Sequence, residues 1–229
     1  MPAGFIQSSQ STVTSIVRAA ITRPVAVRGR RLRIRRVGIY AGTFDPVHAG
    51  HLAFALQALQ TAKLDAVYFL PERRPRNKQG VEHFGHRVAM LRQALQPHPQ
   101  CKILELTDIS FSVEHTLPKL QQQFPSDQLV FLFGSDVLPN MANWPKVDRL
   151  LQHSELVIGL RDQDDLQQAK KLIEHLPAQP VTATIFASHS PEVSSGKIRA
   201  ALRRRSKTPG LLSSVQRYSD HNWLYISLA

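Results

Sequence analysis

Apolar runs of five or six residues alternate with longer amphipathic segments from residue 37 onward. The runs are rich in branched and aromatic side chains, as strands buried on both faces of a parallel sheet are. They are VGIYA (37–41), AVYFLP (66–71), CKILEL (101–106), LVFLFG (129–134), ELVIGL (155–160) and TATIFA (182–187). Each run therefore predicts one strand of a parallel sheet.

The segments between these runs carry apolar residues at the three- and four-residue spacing of a helix face. We expect helices over 48–62, 82–96, 114–124, 164–176, 195–205 and 212–220. Strands and helices thus alternate along the chain, which predicts a doubly wound, Rossmann-like α/β fold with helices on both faces of the sheet. In such sheets ligands bind beyond the carboxyl ends of the strands, where the strand order reverses.

The positive charge is concentrated before the first strand. The formal net charge is +12, and residues 1–36 contain eight arginines and no acidic residue, whereas the rest of the chain has 21 basic and 17 acidic side chains. We therefore predict a basic, disordered extension over 1–36 and a single domain over 37–229. The Ser-, Ala- and Arg-rich extension is compatible with a plain basic arm and with an organelle transit peptide.

The single cysteine, Cys101, rules out an intramolecular disulfide and a cluster of thiolate ligands. A reducing compartment follows from this, and we expect a cytoplasmic protein, or an organellar one if the extension acts as a transit peptide. The chain contains no run of about 18 apolar residues, so no membrane span is predicted. The extension has little aromatic content for base stacking, so no specific nucleic-acid partner is expected.

The stretch GTFDPVHAGH (42–51) carries the candidate chemistry, because it follows the first predicted strand and opens a helix. Gly42 permits close approach of the backbone, and the free N–H groups of the helix start form an anion site. His48 and His51 lie three residues apart on one face of that helix. Their spacing alone is compatible with zinc ligands, with buried core histidines and with phosphate-binding groups; the strand–Gly–Pro context favours phosphate.

The same ten residues match the GxFxPxHxGH signature, and the chain in this respect resembles the HxGH nucleotidyltransferase superfamily. Over 37–229 it is similar to the nicotinate/nicotinamide mononucleotide adenylyltransferases. The further segments that carry this resemblance are FLP (69–71), HRVAML (86–91), FLFGSD (131–136), Trp144 and VSSGKIRAAL (193–202).

The resemblance implies that AMP is transferred from ATP to nicotinate or nicotinamide mononucleotide, and that pyrophosphate is released. It implies catalysis by positioning and charge neutralisation, without a covalent protein intermediate, and Mg²⁺ held mainly by ATP. It assigns catalysis to His48, His51 and Arg199. It assigns ATP binding to Tyr40, Gly42, Thr43, Phe44, His48, His51, Gly134, Asp136, Ser194, Ser195, Lys197, Ile198 and Arg199. It assigns the mononucleotide to Thr43, Phe44, Lys78 and Trp144.

Several of these residues have structural alternatives. Asp136 could cap the following helix instead of binding ribose. Trp144 could be a packing aromatic instead of stacking on a pyridine ring. The basic run over 73–78 could contact phosphate or be solvated, and the run over 203–207 is expected to be solvated.

Three positions depart from the family pattern. Asn77 stands where His is common before Lys78, and Gly196 replaces the usual Thr of the second signature. The segment FSVEHTL (111–117) differs from the usual nicotinate-reading sequence. We expect ATP and a pyridine mononucleotide as partners, nicotinate preferred, and leave the oligomeric state open, a homo-oligomer included. The alternatives are another small-molecule nucleotidyltransferase, such as phosphopantetheine adenylyltransferase, or a relative that binds nucleotide or RNA without catalysis.

Overall fold

The computed structural model describes residues 15–18, 33–76, 78–161, 166–188 and 192–226. In these residues six parallel strands and one antiparallel strand form a single sheet. The antiparallel strand is β1 (Ser15–Arg18). The parallel strands are β2 (Arg36–Gly42), β3 (Ala66–Pro71), β4 (Cys101–Ile103), β5 (Gln128–Gly134), β6 (Glu155–Leu160) and β7 (Thr182–Ala187).

The strand order is β1-β7-β6-β5-β2-β3-β4. The chain therefore builds outward from β2 to β4, returns to the other side of β2 with β5, and builds outward again to β7. The order reverses between β2 and β5, which pair in parallel from Arg36↔Gln128 to Ile39↔Phe131. Residues that follow these two strands consequently border the crevice in which such sheets bind ligands.

Helices cover both faces of the sheet, as predicted. They are α1 (Ala49–Thr61), α2 (Phe84–Leu95), α3 (Val113–Gln123), α4 (Leu138–Met141), α5 (Val147–His153), α6 (Leu166–Glu174), α7 (Ser195–Arg203) and α8 (Ser213–His221). Successive residues of β5 alternate between two cores: Phe131 packs with α3, α5 and α6, and Leu132 packs with α1, α2 and α8. This alternation explains why the strand is apolar throughout.

The predicted elements are found with small shifts of their ends. The largest difference is the run 101–106, of which only Cys101–Ile103 form a strand. This strand lies at the edge of the sheet and pairs only with Val67–Phe69 of β3. Beyond Ile103 the chain leaves the sheet, although Leu104 and Leu106 still pack against the core.

The boundary between the extension and the domain stays a prediction. Within 1–36 the structure describes the backbone of Ser15–Arg18, which pairs with β7 and so extends the sheet. It also describes residues 33–36, where Arg36 opens β2 and forms an ion pair with Glu155 of β6. The rest of the predicted extension lies outside the described residues. No helix in the described part of the chain is long and apolar enough to cross a membrane.

Candidate active site at the carboxyl ends of the strands

A cleft of about 490 Å³ opens at the carboxyl ends of β2, β5 and β6, beside the first turns of α1 and α7. Most of the predicted site residues line it, from four separate parts of the chain. These are Tyr40, Gly42, Thr43, Phe44, His48, His51, Lys78, Gly134, Asp136, Ser194, Ser195 and Arg199. The fold thus brings together residues that the sequence analysis connected only through motifs.

The two histidines occupy the start of α1. His48 is the N-cap residue, and its backbone N–H donates to Nδ1 of His51 over 3.3 Å. The imidazole centroids are 3.7 Å apart. Nδ1 of His48 is buried and, among the described residues, has no hydrogen-bond partner. The two rings therefore form one unit in the wall of the cleft.

Both imidazoles are neutral at neutral pH. Burial lowers the pKa of His48 to about 4, and the positive charge of Arg161 contributes to this shift. Burial also lowers the pKa of His51 well below its usual value, and the charges of His48, Arg161 and Lys78 act in the same direction. A neutral imidazole presents one N–H donor and one acceptor. An anion bound beside the rings would stabilise their protonated forms and raise both pKa values.

The loop between β2 and α1 has an unusual backbone. Phe44 is buried and has a φ of +52°, a left-handed conformation that costs a residue other than glycine about 1 kcal/mol. Its ring makes edge contacts with Tyr40 and His51 at centroid distances of 5.4 and 5.1 Å. A Cβ on Gly42 would lie 3.0 Å from that ring, which explains the glycine. Aromatic packing therefore compensates for the strained backbone.

Asp45 is a buried carboxylate within the same loop, and the sequence analysis did not single it out. Oδ1 accepts a hydrogen bond from the hydroxyl of Tyr225 at 2.7 Å, and Oδ2 lies 3.7 Å from Nη1 of Arg199. The same Nη1 donates to the Asp45 carbonyl oxygen at 2.6 Å. Asp45 thus connects the loop to α7 and to the C-terminal segment. The signature GxFxPxHxGH leaves position 45 unspecified, so the motif gave no signal for Asp45.

The start of α7 faces the histidines across the cleft. Ser194 caps the helix by accepting from the backbone N–H of Lys197 at 3.3 Å, and the Ser195 hydroxyl donates to the Pro46 carbonyl oxygen at 3.0 Å. Arg199 is half-buried on the same side. Ser194, Ser195 and Gly196 at the start of this nine-residue helix line the cleft, so the helix dipole adds a partial positive charge there.

Two of the predicted ATP-binding residues do not line the cleft. Lys197 is exposed, and its Nζ donates to the carbonyl oxygen of Glu192 at 3.2 Å. Ile198 is buried in the core at 2% exposure. A role in ATP binding stays a prediction for both residues.

Asp136 lies beyond β5, in a turn of 3₁₀ helix over Ser135–Val137. Its side chain makes no capping hydrogen bond to that turn or to α4; Oδ1 lies 3.5 Å from Nη2 of Arg161. A Cβ on Gly134 would lie 2.3 Å from the same Oδ1, so the carboxylate occupies its place because residue 134 is glycine. The helix-cap interpretation of Asp136 is therefore wrong, and the carboxylate is exposed in the cleft.

Arg161 was missed by the sequence analysis. It lines the cleft directly after β6, and its charge acts on the pKa of both histidines. Its position immediately after the apolar run 155–160 was a usable signal, because side chains that follow a parallel strand reach the binding edge.

A second cavity of about 380 Å³ adjoins the first and shares Ala41, Glu72, Lys78, Phe133 and Val137 with it. Its wall is partly aromatic, because Trp144 packs edge-on against Phe133 at 5.5 Å and against Phe111 at 6.2 Å. Trp144 is thus both a packing aromatic and a cavity-lining residue. Arg76, Glu114 and His115 line the remaining part of this cavity.

Lys78 stands between the two cavities. Its Nζ donates to Oγ1 of Thr43 at 2.9 Å. The neighbouring arginines 73, 74 and 76 are exposed, and of these only Arg76 lines a cavity. In the basic run, Arg73 and Arg74 are therefore solvated, whereas Arg76 and Lys78 line a cavity. Asn77 lies outside the described residues. The run 203–207 is exposed, as predicted.

The arrangement suits a ligand with several phosphates and an attached base. The imidazoles, two arginines, a lysine and two helix starts surround the larger cavity, and the smaller one offers an aromatic wall. In the described part of the chain no three His, Cys, Asp or Glu side chains stand together so as to hold a metal ion.

The family model described as cytidylyltransferase-like matches residues 39–201, from β2 into α7. Together with the sheet order and the HxGH loop, this match defines a nucleotidyltransferase of the cytidylyltransferase-like class.

A nicotinate-nucleotide adenylyltransferase of Bacillus subtilis (strain 168) is 33% identical over 203 residues, which cover 85% of this chain and 100% of the relative. A Neisseria meningitidis serogroup C protein named "Probable nicotinate-nucleotide adenylyltransferase" is 29% identical over 199 residues, 84% of this chain and 99% of that protein. The chain belongs to the nicotinate-nucleotide adenylyltransferase family, which confirms the resemblance read from its motifs.

The fold is shared with solved structures. The nicotinic acid mononucleotide adenylyltransferase of Plasmodium falciparum, solved in complex with NaAD, aligns with a TM-score of 0.69. The alignment covers 85% of this chain and 100% of that chain at 17% sequence identity.

Proposed function

We propose that this protein transfers AMP from ATP to nicotinate mononucleotide, forming deamido-NAD and pyrophosphate. The observation that carries the proposal is the junction of the two cavities. A basic cleft suited to the ATP phosphates meets an aromatic cavity suited to a pyridine ring, and Lys78 and Thr43 lie where they join.

In the proposed reaction, an oxygen of the mononucleotide phosphate attacks the α-phosphorus of ATP. The bond between that phosphorus and the oxygen that bridges to the β-phosphate breaks, and pyrophosphate leaves. Negative charge accumulates on the departing oxygens. Arg199, the α7 N–H groups and the two imidazoles face this region, so they bind the leaving group and stabilise the charge that develops on it.

The histidines act on phosphate oxygens in this scheme. Each imidazole enters neutral, because burial disfavours the charged form. The incoming phosphates raise the pKa of both rings, which then donate hydrogen bonds as partly protonated groups. No proton transfer to or from a carbon atom is needed, and none of the site's serines is required as a nucleophile.

The exposed carboxylate of Asp136 suits the ribose hydroxyls of ATP, because a carboxylate accepts two such donors. Gly134 leaves room for it, and Nη2 of Arg161 lies 3.5 Å from its Oδ1. Mg²⁺ would enter on the phosphate oxygens of ATP. The groups that face the phosphate region are imidazoles and cations, which suit those oxygens better than the metal itself. The ion would neutralise phosphate charge.

Arg76 and Lys78 line the aromatic cavity together with Glu72 and Glu114, so its charge alone does not choose between a pyridine carboxylate and a carboxamide. The preference for the acid form is supported by the relatives, which are named nicotinate-nucleotide adenylyltransferases. A reducing, cytoplasmic location is supported by the buried free thiol of Cys101.

The test is an assay of purified protein with ATP, Mg²⁺ and each mononucleotide in parallel. We expect dinucleotide and pyrophosphate in equal amounts, with a higher kcat/KM for nicotinate mononucleotide. Absence of product with both pyridine substrates would contradict the proposal. A parallel reaction with phosphopantetheine tests the alternative acceptor.

A further inference from the structure

Arg87 is a buried arginine of α2 that contacts the loops of the site from behind. It is 1% exposed, the largest of the fully buried side chains in the described part of the protein. It belongs to the HRVAML segment, to which the sequence analysis gave no role.

The guanidinium of Arg87 donates only to backbone carbonyl oxygens. Nη1 donates to Thr43 at 2.6 Å, and Nη2 donates to Glu72 at 2.8 Å and to Arg73 at 3.0 Å. Nε donates to Glu82 at 3.0 Å. One side chain therefore joins the loop after β2 to the loop after β3.

Filling of the core does not explain this residue. A guanidinium removed from water is costly even when it is hydrogen-bonded, and an apolar side chain would fill the same volume without that cost. Burial lowers the pKa of Arg87, and the nearby carboxylate of Asp45 opposes the shift. What the guanidinium adds is a planar fork of donors with fixed directions, which sets the distance and angle between its acceptors.

The acceptors are parts of the site. Thr43 and Glu72 both line the main cleft, and Thr43 also receives Lys78 on its hydroxyl. The residue after Thr43 is Phe44, whose backbone is left-handed. Within this loop, Thr43 thus accepts from Arg87 on its carbonyl oxygen and from Lys78 on its hydroxyl oxygen. Both hydrogen bonds lie directly before the strained residue Phe44.

We propose that Arg87 is a positioning residue for the transfer reaction. Its guanidinium locks the loops after β2 and β3 together, so that the cleft holds the α-phosphate in line with the attacking phosphate. Arg87 reaches neither substrate and acts through the backbone of Thr43 and Glu72. The kinetic part of this inference rests on the proposed function.

The test compares Arg87→Lys and Arg87→Ala with Arg92→Met. Arg92 lies on the same helix but is exposed, and it donates to Glu105 at 2.8 Å. We expect kcat of both Arg87 variants to fall on the order of 10–100-fold, because small displacements of reacting groups cost that much, while the KM for ATP changes far less. Arg92→Met keeps the wild-type kcat. Guanidinium ion, added below denaturing concentration, restores part of the kcat of Arg87→Ala and leaves Arg92→Met unchanged.

A merely structural role predicts a different result: kcat falls only in proportion to the unfolded fraction measured by circular dichroism, and guanidinium gives no recovery. That result, or a wild-type kcat in both variants, would overturn the inference. If Arg87→Ala does not fold, the kcat of Arg87→Lys is compared with that of Arg92→Met instead. Lysine retains the positive charge at residue 87 and lacks the planar set of guanidinium donors.

Amide hydrogen exchange separates this inference from the proposed function. In Arg87→Lys we expect faster exchange at residues 43–45, 47 and 72–74 and unchanged exchange in β5. Unchanged exchange at both loops would overturn the positioning role, whatever the assay shows. A wild-type protein that forms no dinucleotide would overturn the proposed function and leave the exchange result intact.

Discussion

The imidazole rings of His48 and His51 lie 3.7 Å apart at the first turn of α1. Two protonated rings at this distance would repel each other, and burial further disfavours their charge. Both rings are therefore neutral before phosphate binds. Bound phosphate raises their pKa values, and the rings then donate hydrogen bonds to its oxygens.

The first prediction concerns pH and stability. In the unfolded chain His48 binds a proton near pH 6.5, whereas in the folded protein it does so only near pH 4. Between these values the unfolded state binds more protons, so the free energy of unfolding must rise with pH and fall on acidification. We expect a loss on the order of 1–3 kcal/mol from pH 6.5 to pH 4, measured by urea unfolding without ligand.

His48→Asn removes one of the two buried titrating rings and should reduce this pH dependence, while His51 retains its share. His221→Asn, which replaces an exposed histidine of α8, should retain the wild-type slope. Equal slopes in wild type and His48→Asn would contradict the depressed pKa.

The second prediction separates the two tasks of His51. His51→Ala removes an imidazole from the phosphate region, and we expect kcat/KM to fall on the order of 100–1000-fold. It also removes the acceptor of the His48 N–H, which should cost about 1 kcal/mol of unfolding free energy. His51→Asn restores a short acceptor and should recover stability without recovering pyrophosphate release. Recovery of both would mean that the residue acts only as a helix cap.

The third prediction assigns the two cavities. Trp144→Ala should raise the KM for the mononucleotide roughly tenfold, because it removes an aromatic face worth about 1 kcal/mol or more, and should leave the KM for ATP near its wild-type value. Trp223→Ala is the matched control, since Trp223 is 78% exposed. An equal rise of both Michaelis constants would indicate that Trp144 supports the fold and not a pyridine subsite.

The fourth prediction concerns Gly196, the departure from the second signature. An added Cβ there meets no atom within 4 Å, so a side chain fits without strain. Gly196→Ala should raise the free energy of unfolding by about 0.5–1 kcal/mol, because glycine disfavours helix. Gly196→Thr should in addition lower the KM for ATP, because residue 196 lines the cleft and the hydroxyl can donate to phosphate. If Ala and Thr give the same KM, the hydroxyl does not reach the nucleotide.

The fifth prediction concerns the contact between Tyr225 and Asp45. Tyr225→Phe leaves a buried carboxylate oxygen without its donor, which should cost about 1–3 kcal/mol in urea unfolding. Turnover should also fall, since Asp45 connects the loop to Arg199. Tyr68→Phe removes a hydroxyl from a ring that packs on Phe124 at the other face of the sheet, and should affect turnover little. Wild-type stability and turnover in Tyr225→Phe would show that the bond is dispensable.

Much of the fold could be predicted because its strands are buried on both faces. The run 129–134 is apolar throughout since Phe131 and Leu132 point into different cores. The bounds of α4 and the existence of α5 were not predicted, because four and seven residues are too few to show a helical period. The end of β4 was misplaced because edge position, which the sequence does not display, limits its pairing.

Within the site, several of the predicted residues that line the cleft directly follow a strand or open a helix, as His48, Asp136 and Ser194 do. Such positions can be located from the sequence. Arg87 and Tyr225 could not be found in this way, because their partners are carbonyls and a carboxylate that only tertiary packing brings near them. The contribution of such residues follows from the folded chain and not from any local pattern.

The hydrogen bond from Tyr225 ties the loop that bears the histidines to the last segment of the chain that the structure describes. Among the described residues, the strands and helices all precede Tyr225. Leu224 and Tyr225 are also members of the core that contains α1, α2 and α8. One docking event therefore completes both that core and the support of the catalytic loop, so damage to the segment after α8 should reach the site as well as the fold.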